Sequence, residues 1–156
     1  MWHNPGLRSA PSGLRGDEMS NPSELDAKIA ENVADALIYS DRSGTIMRWN
    51  GAATALFGFT AAEALGQNLD LIIPAHLRAA HWKGFEAALA SGAMKLAGRP
   101  TLTRALHKSG RKLYIEMTFA LVRDSGDNVL GSVAMARDVT ERVERERAAK
   151  TPPQTS

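Results

Sequence analysis

The sequence predicts an α+β domain: a five-stranded antiparallel sheet with helices packed on one face around a ligand pocket. Three observations predict it. Two short apolar runs, Ala36–Tyr39 and Thr45–Trp49, flank a tight polar turn and read as a hairpin. Small-residue helical turns and one longer helical stretch follow, up to about Gly92. Three further strand-like runs separated by turn residues then close the domain.

Residues 1–22 are rich in Gly, Pro, Ser, Asn and Arg without an apolar period, and read as a disordered tail. Met19 stands just before the ordered part and is a candidate start alongside Met1. From a capping Ser23, the apolar Leu25, Ile29, Val33 and Ala36 recur at helical spacing and predict a short amphipathic helix. Ala36-Leu37-Ile38-Tyr39 is the first strand. Asp41-Arg42-Ser43-Gly44 is its turn, with Gly44 free to take a positive φ, and Thr45–Trp49 resumes the strand. Asn50 caps the next helix, Thr60 and Glu63 stand at capping-box spacing, and Gly66 falls where that helix should stop.

Leu69–Pro74 predicts a buried turn, and a longer helix runs from about Ala75 to Ala90. Strands follow over about Pro100–His107, Lys112–Val122 and Val129–Arg137. Lys108-Ser109-Gly110-Arg111 and Asp124–Asn128 supply the turns between them. The middle strand alternates: Leu113, Ile115, Met117, Phe119 and Leu121 share one face, Tyr114, Glu116 and Thr118 the other. A helix rich in Glu and Arg runs from Glu141 to about Lys150 and then meets Pro152-Pro153. The domain is placed at 23–142, with 143–156 as a charged C-terminal linker and tail.

Composition removes several function classes. At 156 residues the chain has room for one core. A formal charge of +2 is too small to argue for a nucleic-acid or membrane surface, and no basic stripe interleaves with aromatics. No apolar run approaches the roughly 20 residues of a membrane span. The N-terminus has no apolar signal-peptide core, so the expected location is the cytoplasm. With no cysteine there is no disulfide, thiolate nucleophile, Cys-based metal site or covalent c-type haem. P-loop, dinucleotide, H-E-x-x-H and nucleophile-elbow motifs are all missing, and no enzyme is expected.

The order of motifs resembles a PAS sensory domain. Asp41, Gly44, Ile46 and Asn50 fill its D-x-x-G-x-I-x-x-x-N pattern. Gly58, Phe59, Thr60, Glu63 and Gly66 fill the following G-(F/Y)-(T/S)-x-x-E-x-x-G segment. Asp138-Val139-Thr140 matches the triplet that leads from the last PAS strand into a linker helix. The resemblance covers about Leu25 to Arg142. It implies a module that binds a small ligand, pairs with a second copy through the N-terminal helix, and signals through a partner protein. The light-sensing branches of the family use a reactive cysteine, which this chain lacks.

His81 is the residue that sharpens the functional expectation. Leu77, His81, Phe85 and Ala88 share one face of the long helix, so the imidazole points inward among apolar groups. A neutral imidazole there suits an axial ligand of haem b, although a lone helical histidine is more often a hydrogen-bonded structural residue. Pro74, Arg78 and His81 resemble the P-x-x-x-R-x-x-H helix of haem-bearing PAS oxygen sensors, which implies His81 as the proximal ligand. The resemblance places the opposite wall at Thr101, Ile115, Met117 and Phe119, with Met117 or Met94 as candidate sixth ligands. Thr101 falls where those sensors carry an arginine, and Arg99 stands two residues earlier. Arg99 and Lys95 are set near the pocket mouth, where cations pair with carboxylates or simply face water. His76 and His107 are expected at the surface, Trp49 and Trp82 in packing. Two other expectations stay open: a non-haem PAS domain holding a metabolite or non-covalent flavin, and a dimerising module whose cavity Met, Leu and Phe side chains fill.

Overall fold

The computed structural model describes residues 21–95 and 98–154, so the expected tail at 1–22 lies almost wholly outside it. β1 (Ala36–Asp41) and β2 (Ile46–Trp49) form the expected hairpin. β3 (Thr101–Leu106), β4 (Lys112–Arg123) and β5 (Val129–Asp138) complete one antiparallel sheet in the order β2-β1-β5-β4-β3. The last strand therefore lies at the centre, between β1 and β4. This register brings Thr101 opposite Met117, Met117 opposite Ala136, and Ala136 opposite Ala36.

Alternation decides which side chains face inward. Ala36, Ile38 and Ser40 of β1, Leu113, Ile115 and Met117 of β4, and Ala134 and Ala136 of β5 are all buried. Between β2 and β3 come α2 (Gly51–Phe57), α3 (Ala61–Ala64), a single 3-10 turn (Leu69–Leu71) and α4 (Ala75–Ser91). Phe57 of α2 is fully buried with Ile46, Leu113 and Ile115. Each such side chain contributes about 1.5–3 kcal/mol by leaving water.

The local stops and starts follow from side-chain chemistry. The Asn50 side chain accepts from the Ala53 N–H at the start of α2, and Gly58 ends that helix at φ 82°. Thr60 and Glu63 cap each other's backbone reciprocally at the start of α3.

The helix α1 (Pro22–Asn32) departs from expectation at its cap. Asn21, not Ser23, is the cap residue: both the N–H and the hydroxyl of Ser23 donate to Asn21 Oδ1. The physical reason is Pro22, whose fixed φ suits the first helical position and moves the start towards the N-terminus. α1 buries none of its residues, and Ile29 is 54% exposed.

The terminal helix α5 (Thr140–Lys150) lies on the opposite face of the sheet from Leu113, Ile115 and Met117. The Tyr114 N–H donates to Thr140 Oγ1 at 2.9 Å, and the Val139 N–H to the Tyr114 carbonyl at 2.9 Å. Arg104 and Arg147 both approach the Tyr114 ring, at 5.5 and 4.8 Å from its centroid. Val143 is buried beneath the helix. The rest of α5 is exposed, and these contacts tie the helix to β4.

Candidate ligand site

The face of α4 that looks inward is set by its first turns. The Arg78 guanidinium donates to the backbone carbonyls of Ile73 (3.0 Å) and Asp70 (3.2 Å). Trp82 Nε1 donates to Asp70 Oδ1 at 2.8 Å. These bonds clamp the helix to the 3-10 turn and fix its roll. The indole ring of Trp82 then lies directly over Gly44 in the β1–β2 turn, where a side chain would collide with it.

That roll carries His81 into aromatic company. Trp82 meets the imidazole edge-on, with centroids 4.8 Å apart, and Phe85 stacks at 6.0 Å. His81 Nδ1 is buried and has no hydrogen-bond partner. Ala88 closes the same face and is buried; Leu77 and Phe85 are half-buried. α4 stands back from the strands, and long side chains span the gap: Trp82 and Phe85 pack on the core that holds Ile115 and Met117.

Burial pushes the His81 pKa below its ordinary value, and nearby Asp70 offsets this in part. The imidazole is therefore neutral near pH 7. Folded His81 binds a proton less readily than unfolded His81, so the unfolded state takes up protons first as pH falls below about 6.5. Stability present above that pH is lost as pH drops towards the lowered folded value. His81→Phe is expected to flatten this part of the pH–stability curve, as read by urea unfolding between pH 7.5 and 5.

The inner face of the sheet carries the residues expected to form the opposite wall. Ile115 and Met117 are buried, Met117 at 8% exposure, while Phe119 and Thr101 are half-buried. Of the residues placed at the pocket mouth, Arg99 and Lys95 are exposed and Met94 is half-buried. His76 is exposed. His107 is not at the open surface: its ring packs against Gly58, and its Nδ1 lies 2.9 Å from Ser109 Oγ. The β3–β4 turn folds back on the end of α2, with the Lys108 N–H donating to the Phe57 carbonyl.

Two clefts open elsewhere. One of about 250 Å³ lies between α1 and β2, beside Ala27, Glu31, Met47 and Arg48. Another of about 360 Å³ lies at the start of α5, beside Arg111, Asp138 and Glu144. Neither is lined by His81. No group of three or more His, Asp or Glu side chains gathers among the described residues, so His81 alone is not a site for a bare metal ion. An iron held there would have to bring most of its own ligands.

Sequence reasoning missed Asp70, whose bonds orient α4, and Ser40, a buried hydroxyl on the inner sheet face. Ser40 left one signal: a polar residue at the inward position of the Ala36, Ile38, Ser40 alternation.

A family profile described as PAS fold matches residues 24–139. The chain belongs to the PAS family. Among curated relatives, an uncharacterised protein of Azorhizobium caulinodans is 33% identical over 89% of this chain, which spans 18% of that protein. The oxygen sensor protein DosP of Escherichia coli is 27% identical over 72% of the chain, which spans 14% of DosP. The sensor protein FixL of Bradyrhizobium diazoefficiens is 24% identical over 72%, spanning 22% of FixL. This PAS domain thus covers less than a quarter of each relative. Among solved structures, a PAS domain from Colwellia psychrerythraea superposes with a TM-score of 0.67 at 23% identity, over 78% of this chain and all of that one. An RNA-binding light-oxygen-voltage receptor superposes at 0.64 with 25% identity, over 89% of this chain and 40% of its own. No described helix is long and apolar enough to cross a membrane.

Proposed function

We propose that this PAS domain is a sensory module that holds haem b through His81 and reports a diatomic gas to a partner protein. The observation that carries the reading is the buried, orphaned Nδ1 of a neutral, half-buried imidazole among Trp82 and Phe85. A buried nitrogen without a partner costs about 1–3 kcal/mol, and a ligand in the interior would give the ring a task. The likeness to an oxygen sensor supports the choice of cofactor. The residues fit the group in kind: one neutral nitrogen ligand, an apolar sheet wall of Ile115, Met117 and Phe119, and no competing metal-binding cluster among the described residues.

When bound, haem would supply an iron able to take oxygen, carbon monoxide or nitric oxide. The protein's own residues do the rest. Trp82 and Phe85 fix the imidazole plane; Leu77 and Phe85 keep water from that side. Met117 and Phe119 form the apolar wall, and Thr101, opposite Met117, offers a hydroxyl there. Arg99 and Lys95 supply exposed positive charge for carboxylates at the mouth. β5 joins this wall through Ala134 and Ala136 and runs straight into α5, the route by which a change in the sheet would reach a partner. α1, with Leu25 and Ile29 exposed, would pair two copies. The reading includes no catalytic step, and its setting is the cytoplasm.

The packing of Trp82 and Phe85 on the core favours a second reading, a filled-cavity PAS module that works by dimerisation. A visible spectrum decides between them. Haemin added to the purified protein is expected to give a sharp Soret band, and His81→Ala to lose it, with retention on the order of tenfold or more weaker. A flat spectrum with excess haemin would retire the haem reading in favour of the second one, or of a PAS domain for a metabolite or non-covalent flavin.

A further inference from the structure

The sheet has two edge strands, β2 and β3, and they are finished differently. On the outer side of β2, Ile46 is closed: its N–H donates to the Gln67 carbonyl, and its carbonyl accepts from the Gly66 N–H. On the outer side of β3 the cover reaches only Leu106, whose N–H donates to the Ile72 carbonyl. The next N–H, that of His107, turns the other way, to the Arg111 carbonyl. Backbone groups alternate along a strand, so Arg104 and Leu102 direct theirs away from β4, as Leu106 does. Neither has a backbone partner on that side among the described residues.

The side chains of the same two residues stand on the outer face of the sheet. Leu102 is 53% exposed, an apolar group on an open edge. Arg104 stands opposite Tyr114, and its guanidinium shares the Tyr114 ring with that of Arg147 from α5. The acids nearby are engaged elsewhere. Glu116 and Glu146 pair with Arg142, Glu141 pairs with Arg145, and Glu144 lines the cleft beside Arg111. Arg104 and Arg147 have no ion-pair partner among the described residues, so two uncompensated cations meet at one ring. Stacking on an aromatic face orders a guanidinium and leaves its N–H edge free for an oxyanion.

We propose that the open edge of β3 is a docking surface for an extended acidic segment of a partner protein, which adds to the sheet as a further strand. Backbone bonds to Leu102 and Arg104 supply the attachment, and alternate side chains supply the choice of partner. Side chains two positions apart on a strand share a face, as Leu102 and Arg104 do. The segment that fits therefore carries an apolar residue beside Leu102 and, two positions away, a carboxylate beside Arg104. Arg147 adds positive charge behind Arg104, so a basic segment of the same shape is repelled. The surface rests on no part of the haem reading. It lies on the face of the sheet opposite the one that looks towards α4, so haemin reports on His81 and an acidic peptide reports on β3.

The probe is the blocked octapeptide TVTETVTE, titrated into the purified full chain and followed by NMR shifts and amide exchange, with TVTKTVTK as the charge-reversed control. The acidic peptide is expected to give saturable shifts along β3 and to slow exchange of the Leu102 and Arg104 amides, and the lysine peptide to give neither. Arg104→Gln should weaken binding about fivefold. Leu102→Pro should abolish it with little change in melting temperature, because the N–H it removes makes no ladder bond and an edge strand tolerates proline there. The proposal is overturned by the absence of saturable shifts on β3 with TVTETVTE, by equal binding of the two peptides, or by unchanged binding in Arg104→Gln. A salt-sensitive response to a single-stranded thymidine oligonucleotide, with none to the peptide, would also overturn it and assign the two cations to nucleic acid.

Discussion

Asn50→Ala is expected to lower the stability of the domain by about 3 kcal/mol, with the urea midpoint moving and the slope unchanged. Asn50 is 3% exposed and uses both ends of its amide. Its Oδ1 accepts from the N–H groups of Leu37 and Ala53, each at 2.9 Å. Its Nδ2 donates to the carbonyls of Ala30 and Asp35, each at 3.0 Å. One side chain therefore joins the end of α1, the start of β1 and the cap of α2. Alanine would leave the Leu37 N–H and two carbonyls without their partner in a part of the fold with little access to water. Asn50→Asp separates the contributions. It keeps both acceptor bonds but sets a carboxylate oxygen against the carbonyls of Ala30 and Asp35, so most of the loss should remain. A loss below about 1 kcal/mol in the alanine variant would mean that water replaces the amide at this junction.

Asn50 also shows where sequence reasoning ends. Its cap on α2 was legible because the bonded N–H lies only three residues on. Its bonds to Ala30, Asp35 and Leu37 were not, because chain packing alone brings those groups together. The same division recurs elsewhere. The Thr60–Glu63 capping box is local and could be read, whereas the ion pair of Glu63 with Lys108 on the β3–β4 turn could not. Alternation over Leu113, Ile115 and Met117 correctly marked the inner face of β4. The helical spacing of Leu77, His81, Phe85 and Ala88 agrees with the face that α4 turns inward, yet the roll of the helix within that face is tertiary. It depends on Asp70, whose carboxylate accepts from Trp82. α5 was legible only in part for a related reason. Its charges mark an exposed face, as the structure has it, but not the contacts of Val143 and of Arg147 with Tyr114 that hold it to the sheet.

Gly44→Ala is expected to cost about 4 kcal/mol. Two separate penalties combine. Gly44 has φ 79°, and a left-handed backbone costs a residue with a Cβ about 1–2 kcal/mol. The new Cβ would also stand 2.1 Å from Trp82 Cη2 and 2.5 Å from Cζ3, so the indole must leave its seat. It cannot leave freely, because Nε1 is bonded to Asp70 and the ring packs edge-on against both His81 and Phe85. A double-mutant cycle isolates this part. In the Trp82→Ala background the collision is gone, and Gly44→Ala should cost only the backbone penalty of about 1–2 kcal/mol. Equal costs in both backgrounds would show that the ring yields without resistance. The consequence reaches the site, because the indole that must move is the one that fixes the His81 ring. Gly44→Ala should therefore weaken haemin retention more than Asn50→Ala does under conditions where both variants remain folded. The hydrogen-bond partners of the Asn50 side chain lie in and around α1, β1 and α2, so a matching loss in the two variants would trace the effect to general destabilisation and not to the setting of His81.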